Sequence, residues 1–116
     1  MEITQKAYED LRTYIQTNWK YLELRDGTGT PIVRIGIGDS RISWTHNPGS
    51  QTLELTLIVK GSDSDITIPQ TIKYSAVYKV ATGGDALAIE EFTPFTLEAD
   101  GDQLTVKHRI EVPRVW

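Results

Sequence analysis

The chain has no cysteine among its 116 residues, which removes thiol catalysis, cysteine-ligated zinc, iron–sulfur chemistry and disulfides together. Histidine is nearly as scarce. His46 and His108 are too few for a three-histidine metal site, and no carboxylate stands at metal-ligand spacing from either. Long apolar runs are missing: Leu57-Ile58-Val59 and Ala86-Leu87-Ala88-Ile89 are far short of the ~18 residues that a membrane span needs. The opening residues, Met1-Glu2-Ile3-Thr4-Gln5-Lys6, lack a basic region followed by an apolar stretch. No signal peptide is expected, so synthesis is placed in the cytoplasm. A basic excess is absent too, with 12 Lys and Arg against 16 Asp and Glu for a net charge of −4. Nucleic acid is therefore not an expected partner, and neither is a membrane.

What is present points to one domain spanning 1–116, since a second independent core would not fit. Ile3, Ala7, Leu11 and Ile15 recur every four residues with Tyr8 and Tyr14 beside them, while Lys6, Glu9, Asp10, Arg12 and Gln16 fill the other face. This spacing predicts an amphipathic helix over about 3–17, stopped near Asn18 and docked by its apolar stripe. From Trp19 onward the period changes from about 3.6 to about 2.

Strands are expected over 19–25, 32–37, 41–45, 51–60, 71–81, 86–93 and 104–112. Shorter pieces are expected at 66–69 and at 95–97, beyond a break at Pro94. Leu53, Leu55, Leu57 and Val59 alternate with polar residues, as in a sheet with one buried face. Ile72, Tyr74, Ala76, Tyr78 and Val80 are expected on one face of the next long strand. Leu104, Val106, His108, Ile110 and Val112 are expected on one face of the last. Turn signals stand at Asp26-Gly27, Gly38-Asp39-Ser40, Asn47-Pro48-Gly49, Gly83-Gly84 and Asp100-Gly101. The fold class that follows is mainly β (α+β): seven to eight antiparallel strands in a sandwich or barrel, with one N-terminal helix.

Chemistry-bearing residues are few. His108 falls on an apolar strand face, where it would serve as a buried base, a pH sensor or a hydrogen-bonded core histidine; the last is the expectation. His46 is expected to be a turn residue. No serine lies in a strand-to-helix turn, and the glycine pairs Gly27-Thr28-Gly29 and Gly36-Ile37-Gly38 precede no helix that could hold a phosphate. Asp63-Ser64-Asp65 and Asp100-Gly101-Asp102 have oxygens at calcium-ligating spacing but do not continue as an EF-hand loop, so they are read as turn formers. Glu90 and Glu91 point to opposite faces of a strand and cannot act on one bond together. The expectation is a protein that is not an enzyme, with no catalytic, metal or cofactor residue. Trp44 shares a face with Ile42 and is assigned to the core. Trp19, Tyr21 and Trp116 are the candidate interaction residues.

The second half carries a resemblance. Asp63-Ser-Asp-Ile66-Thr-Ile68-Pro69 leads to Ile72-Lys-Tyr-Ser-Ala-Val-Tyr78-Lys-Val80, then Glu91-Phe92-Thr-Pro94-Phe95-Thr-Leu97 and Gly101-Asp102-Gln103-Leu104-Thr-Val106. Over about residues 63–112 this resembles small β domains of tailed-phage virion proteins, tail- and fibre-associated ones above all. The resemblance transfers no functional residue. It implies a structural subunit that joins a virion through contact with other proteins or with copies of itself. The other reading is a small β module that binds carbohydrate or another ligand on exposed Trp and Tyr.

Overall fold

The computed structural model describes residues 2–46 and 50–112. Thr4 opens the helix, its Oγ1 accepting from the Ala7 amide at 3.4 Å, the usual service of an N-cap hydroxyl to an orphan donor. Helix α1 runs Gln5–Asn18, and the Trp19 amide closes it by donating to the Ile15 carbonyl at 2.8 Å. Seven strands follow among the described residues: β1 Tyr21–Arg25, β2 Pro31–Gly36, β3 Ile42–Thr45, β4 Thr52–Lys60, β5 Gln70–Tyr78, β6 Ala88–Leu97 and β7 Gln103–Glu111. They form two antiparallel sheets, ordered β2-β1-β5-β6 and β3-β4-β7. The two sheets make an open sandwich, not a closed barrel.

Connections alternate. The pairs β1–β2, β3–β4 and β5–β6 are hairpins within a sheet, whereas β2–β3, β4–β5 and β6–β7 cross from one sheet to the other. The turn signals at Gly38-Asp39-Ser40 and Asp100-Gly101 mark crossings between the sheets, not hairpins. Turn chemistry sets where the chain reverses; the apolar faces decide which sheet receives it.

The core is the space between the sheets. Leu53, Leu55, Leu57 and Val59 of β4 are all fully buried, and the last three form one apolar cluster with Leu22, Leu24, Ile35, Ile72 and Val77 of the larger sheet. The inward row of β7 is as expected, with Val106 and His108 buried and Leu104 and Ile110 half-buried. Strand β5 departs from its expected alternation. Ile72, Ser75 and Val77 turn inward, while Ala76 and Tyr78 lie on the outer face of the sheet and Val80 falls beyond the strand end. The cause is a bulge. Ile72 stands opposite Phe95 and Tyr74 opposite Glu91, so extra residues of β6, Pro94 among them, crowd against Lys73 and the inward parity switches. Strand β6 therefore continues through Pro94 instead of breaking. It is an edge strand, where a missing N–H removes no ladder bond. Residues 66–69 form no strand; Ile66 is buried as a plug, and the Ile68-Pro69 peptide is cis.

The helix sits by the end of the sandwich, on a face other than the expected one. Arg12 and Ile15 are its buried residues, with Tyr8 half-buried beside them, while Ile3 and Leu11 are half in solvent. Arg12 replaces Leu11 at the contact because the end of β7 offers a carbonyl. Arg12 Nη1 donates to the Val112 oxygen, a bond that leucine cannot make. No helix among the described residues is long and apolar enough to cross a membrane.

Candidate functional site

Of the three interaction residues expected from the sequence, two are described. Trp19 ends the helix and precedes β1, half-buried against the core, and its carbonyl accepts from the Trp44 indole Nε1 at 3.2 Å. Trp44, assigned to the core beside Ile42, packs there half-buried. Tyr21 begins β1 on the outer face of the larger sheet, with its ring across Gly36, where a Cβ would come within 2.7 Å of Cε1. A side chain at position 36 would displace that ring. Trp116 and the Asn47-Pro48-Gly49 turn lie outside the described residues.

A His–Ser–Glu grouping with the look of chemistry is largely buried. His108 Nδ1 lies 2.8 Å from Ser75 Oγ and 3.9 Å from Glu90 Oε2, bringing β7, β5 and β6 together. In a nucleophilic triad the serine and the carboxylate sit on opposite ring nitrogens, and the serine meets substrate. Here both sit on the same nitrogen and Ser75 is fully buried, so this arrangement has no route to an acyl group. Burial pushes His108 down to about 4, which keeps the ring neutral near pH 7. Glu90 Oε2 is buried without a hydrogen bond among the described residues, beside a cleft of about 420 Å³ between β6 and β7. Glu91 faces the other way, as the strand period requires.

A second polar cluster, on the outer face of the larger sheet, was not visible as a group in the sequence. Glu23 is buried between two arginines, accepting from Arg25 Nε at 2.9 Å and from Arg34 Nε and Nη2 at 2.9 and 2.8 Å. The Arg34 guanidinium lies 3.5 Å from the centre of the Tyr78 ring, and Arg25 donates to the Tyr78 hydroxyl. Burial alone would raise the Glu23 carboxyl, but the hydrogen bonds from Arg34 and Arg25 outweigh it and hold the group below its ordinary range. Arg34 also donates to the carbonyls of Val80 and Gly83, tying down the β5–β6 connection where Gly83 has a φ of 65°. The signal was the pairing of Glu23 with Arg34 across the first hairpin, which depends on its register.

The aspartate pairs have partners of their own. Arg41 binds Asp39, Asp63 and Asp65 at 2.8, 3.1 and 2.7 Å, so the oxygens weighed for calcium surround a guanidinium instead. Asp39 is lowered to about 2 by that hydrogen bonding. Asp102 accepts from the amides of Glu98 and Ala99, the work of a turn former. His46 Nε2 lies 2.8 Å from the Ser50 carbonyl, within the β3–β4 connection. Among the described residues no group of His, Asp and Glu is arranged to hold a metal ion.

What remains for a partner is apolar surface. Ile3, Leu11 and Tyr14 are exposed on and beside α1; Val80, Leu87, Ile89 and Phe95 are exposed along β6 and its connection to β5. Tyr14 Oη accepts from Lys79 Nζ at 2.9 Å, one residue before Val80, so the helix patch adjoins the β5–β6 connection. No protein-family model, curated protein or solved structure matches the chain.

Proposed function

We propose that the protein is a structural subunit that works by contact with other proteins, in the tail, fibre or neck of a virion. The observation that carries the assembly part is the placement of exposed apolar side chains. Among the described residues, seven of the eight large exposed ones stand on α1 with its leading residue, on β6, or on the β5–β6 connection. Scattered surface leucines need no explanation; apolar groups gathered at one helix and one edge strand mark a contact surface. The virion setting is supported by the resemblance over residues 63–112. Assembly through bare sheet edges has less support, because β3 is four residues long and β6 carries Pro94 at a bulge, two devices that blunt edge pairing.

The test is mass measurement of the purified chain, alone and mixed with the products of the genes that flank its own. Native mass spectrometry or light scattering up to about 0.1 mM detects contacts as weak as about −5.5 kcal/mol. A defined oligomer or a mixed complex is the expected result. A strict monomer that also ignores every flanking product would overturn the reading.

A further inference from the structure

We infer that the seam between β6 and β7 docks an extended strand donated by another protein, which adds to the free edge of β7 and sets a lysine against Glu90. The inference rests on the assembly reading above for its setting and deepens it by naming the chemistry of the partner.

Among the described residues the sandwich is one strand short. Four strands of the larger sheet stand against three, and the two sheets end side by side in β6 and β7. The inward side chains show where cover stops. In β5, Ile72, Ser75 and Val77 are fully buried, whereas the inward row of β6 (Ala88, Glu90 and Phe92) is half-buried throughout. Two clefts of about 150 and 420 Å³ lie in the gap. The first is bordered by residues 104–107 of β7 and the second by 108–111, with Glu90 on the wall of both. End to end they follow about 24 Å of β7, the outline of a strand and not of one compact ligand pocket.

Backbone and side chain ask for the same guest. Strand β7 is nine residues long, holds no proline and pairs with β4 without a register shift, so it lacks the devices that blunt β3 and β6. Every second residue turns its amide and carbonyl away from β4, and strand addition takes its affinity from such groups. Glu90 specifies the side chain. Its Oε2 is buried with no hydrogen-bond partner among the described residues. Ser75, directly across the β5–β6 ladder, is engaged with His108 Nδ1 at 2.8 Å, and that nitrogen stands 3.9 Å from Glu90, beyond hydrogen bonding. The basic residues of β7 do not supply the donor: Arg109 is bonded to Glu54, and no hydrogen bond joins Lys107 to Glu90. One unmatched carboxylate oxygen suits the point charge of an ammonium better than the fork of a guanidinium, and Phe92 and Val106 offer apolar surface to a lysine stem.

Because Ala88, Glu90 and Phe92 alternate, the donated strand reads apolar-x-Lys-x-apolar. In this chain only Lys79 is flanked in that way, by Val77 and Ala81, and Val77 is already fully buried in the core. The donor is therefore a different protein and not a second copy.

The test titrates the full chain with a capped peptide, Ser-Thr-Val-Thr-Lys-Thr-Val-Thr-Ser, and follows its amide resonances. Shifts should fall at Leu104 to Ile110 and Ala88 to Phe92, with a Kd of about 0.1 mM. Norleucine in place of the lysine should weaken binding about 10-fold. Glu90→Gln should weaken the lysine peptide equally and leave the norleucine peptide unchanged. N-methylation of alternate peptide amides should abolish binding in one parity and spare it in the other, as pairing along a single edge requires. The norleucine and N-methyl comparisons use the wild-type chain, so they decide whatever Glu90→Gln does to folding. No shift up to about 1 mM overturns the inference. So do shifts off the seam, norleucine binding as well as lysine, a folded Glu90→Gln chain that binds both peptides as wild type does, or N-methyl parities that behave alike. If a flanking gene product binds and the seam amides do not move, this inference falls and the assembly reading stands. If the peptide binds the seam of a chain that is monomeric and ignores every flanking product, the inference stands and that reading falls.

Discussion

Strand β4 and helix α1 carry apolar residues of similar size at regular spacing, and the molecule treats them oppositely. Leu53, Leu55, Leu57 and Val59 are fully buried, whereas Leu11 and Tyr14 are about half exposed. The difference lies in what stands opposite. Strand β4 is hydrogen-bonded on both sides, to β3 and β7, and its inward face meets a whole sheet. Among the described residues the helix buries Arg12 and Ile15, with Tyr8 half-buried beside them and Lys79 reaching Tyr14, and no sheet lies across it. Periodicity states which residues share a face. It does not state whether that face is covered. The largest effect should therefore fall on β4. Leu57→Ala leaves a cavity in a close-packed layer and should cost about 3–4 kcal/mol in urea unfolding. A cost under about 1.5 kcal/mol would show that the layer collapses freely and that the contrast with the helix is overstated.

The same layer makes a pH prediction. His108 stands directly across from Leu55, with the Ser75 hydroxyl and the Glu90 carboxylate as its polar neighbours. Its folded pKa is pushed by burial from 6.5 to about 4, so the unfolded chain binds the proton first as pH falls. Stability from this group is full above about pH 6.5 and is lost as pH falls toward 4, by up to about 3 kcal/mol. The carboxylates held low, Glu23 and Asp39, lose their contributions only as pH falls below the ordinary carboxylate range. The two windows thus separate. Thermal midpoints of wild type and His108→Gln, taken from pH 7 to pH 4.5, should diverge in slope, the variant being the flatter. Parallel curves would mean that His108 is solvated.

The outer face of the larger sheet offers a smaller break. Removing Glu23 leaves Arg25 and Arg34 facing each other beside Tyr78 without their shared carboxylate. Because both guanidiniums still touch solvent, Glu23→Ala should cost about 2 kcal/mol, less than a fully buried ion pair would. It should also loosen the β5–β6 connection that Arg34 holds, seen as faster amide exchange at Val80 to Gly84.

How much of this could be read beforehand follows the same division. The inward row of β4, the inward row of β7 with His108 in it, the helix itself and the Trp44 position were legible, because each depends on period and on one neighbouring face. The side of α1 that docks was not. Arg12 beats Leu11 there only because the carbonyl of Val112, a hundred residues away, needs a donor. The parity switch in β5 was hidden because the bulge lies in its neighbour, at Pro94. The Glu23 cluster needed the register of the first hairpin, and the grouping of Asp39, Asp63 and Asp65 around Arg41 needed two loops from different connections to meet. Long-range placement, unlike periodicity, is written in no local stretch.

The smallest expected change is the most direct check on the contrast between β4 and α1. Leu11→Ala removes as many carbon atoms as Leu57→Ala, but from a side chain that is half in solvent. Alanine is also the better helix former, so the lost contact and the gained propensity nearly cancel. The unfolding free energy should move by less than about 0.5 kcal/mol. A loss above about 1.5 kcal/mol would mean that Leu11 packs on its own sandwich in solution. The helix face that carries Leu11 would then belong to the core and drop out of the proposed contact surface.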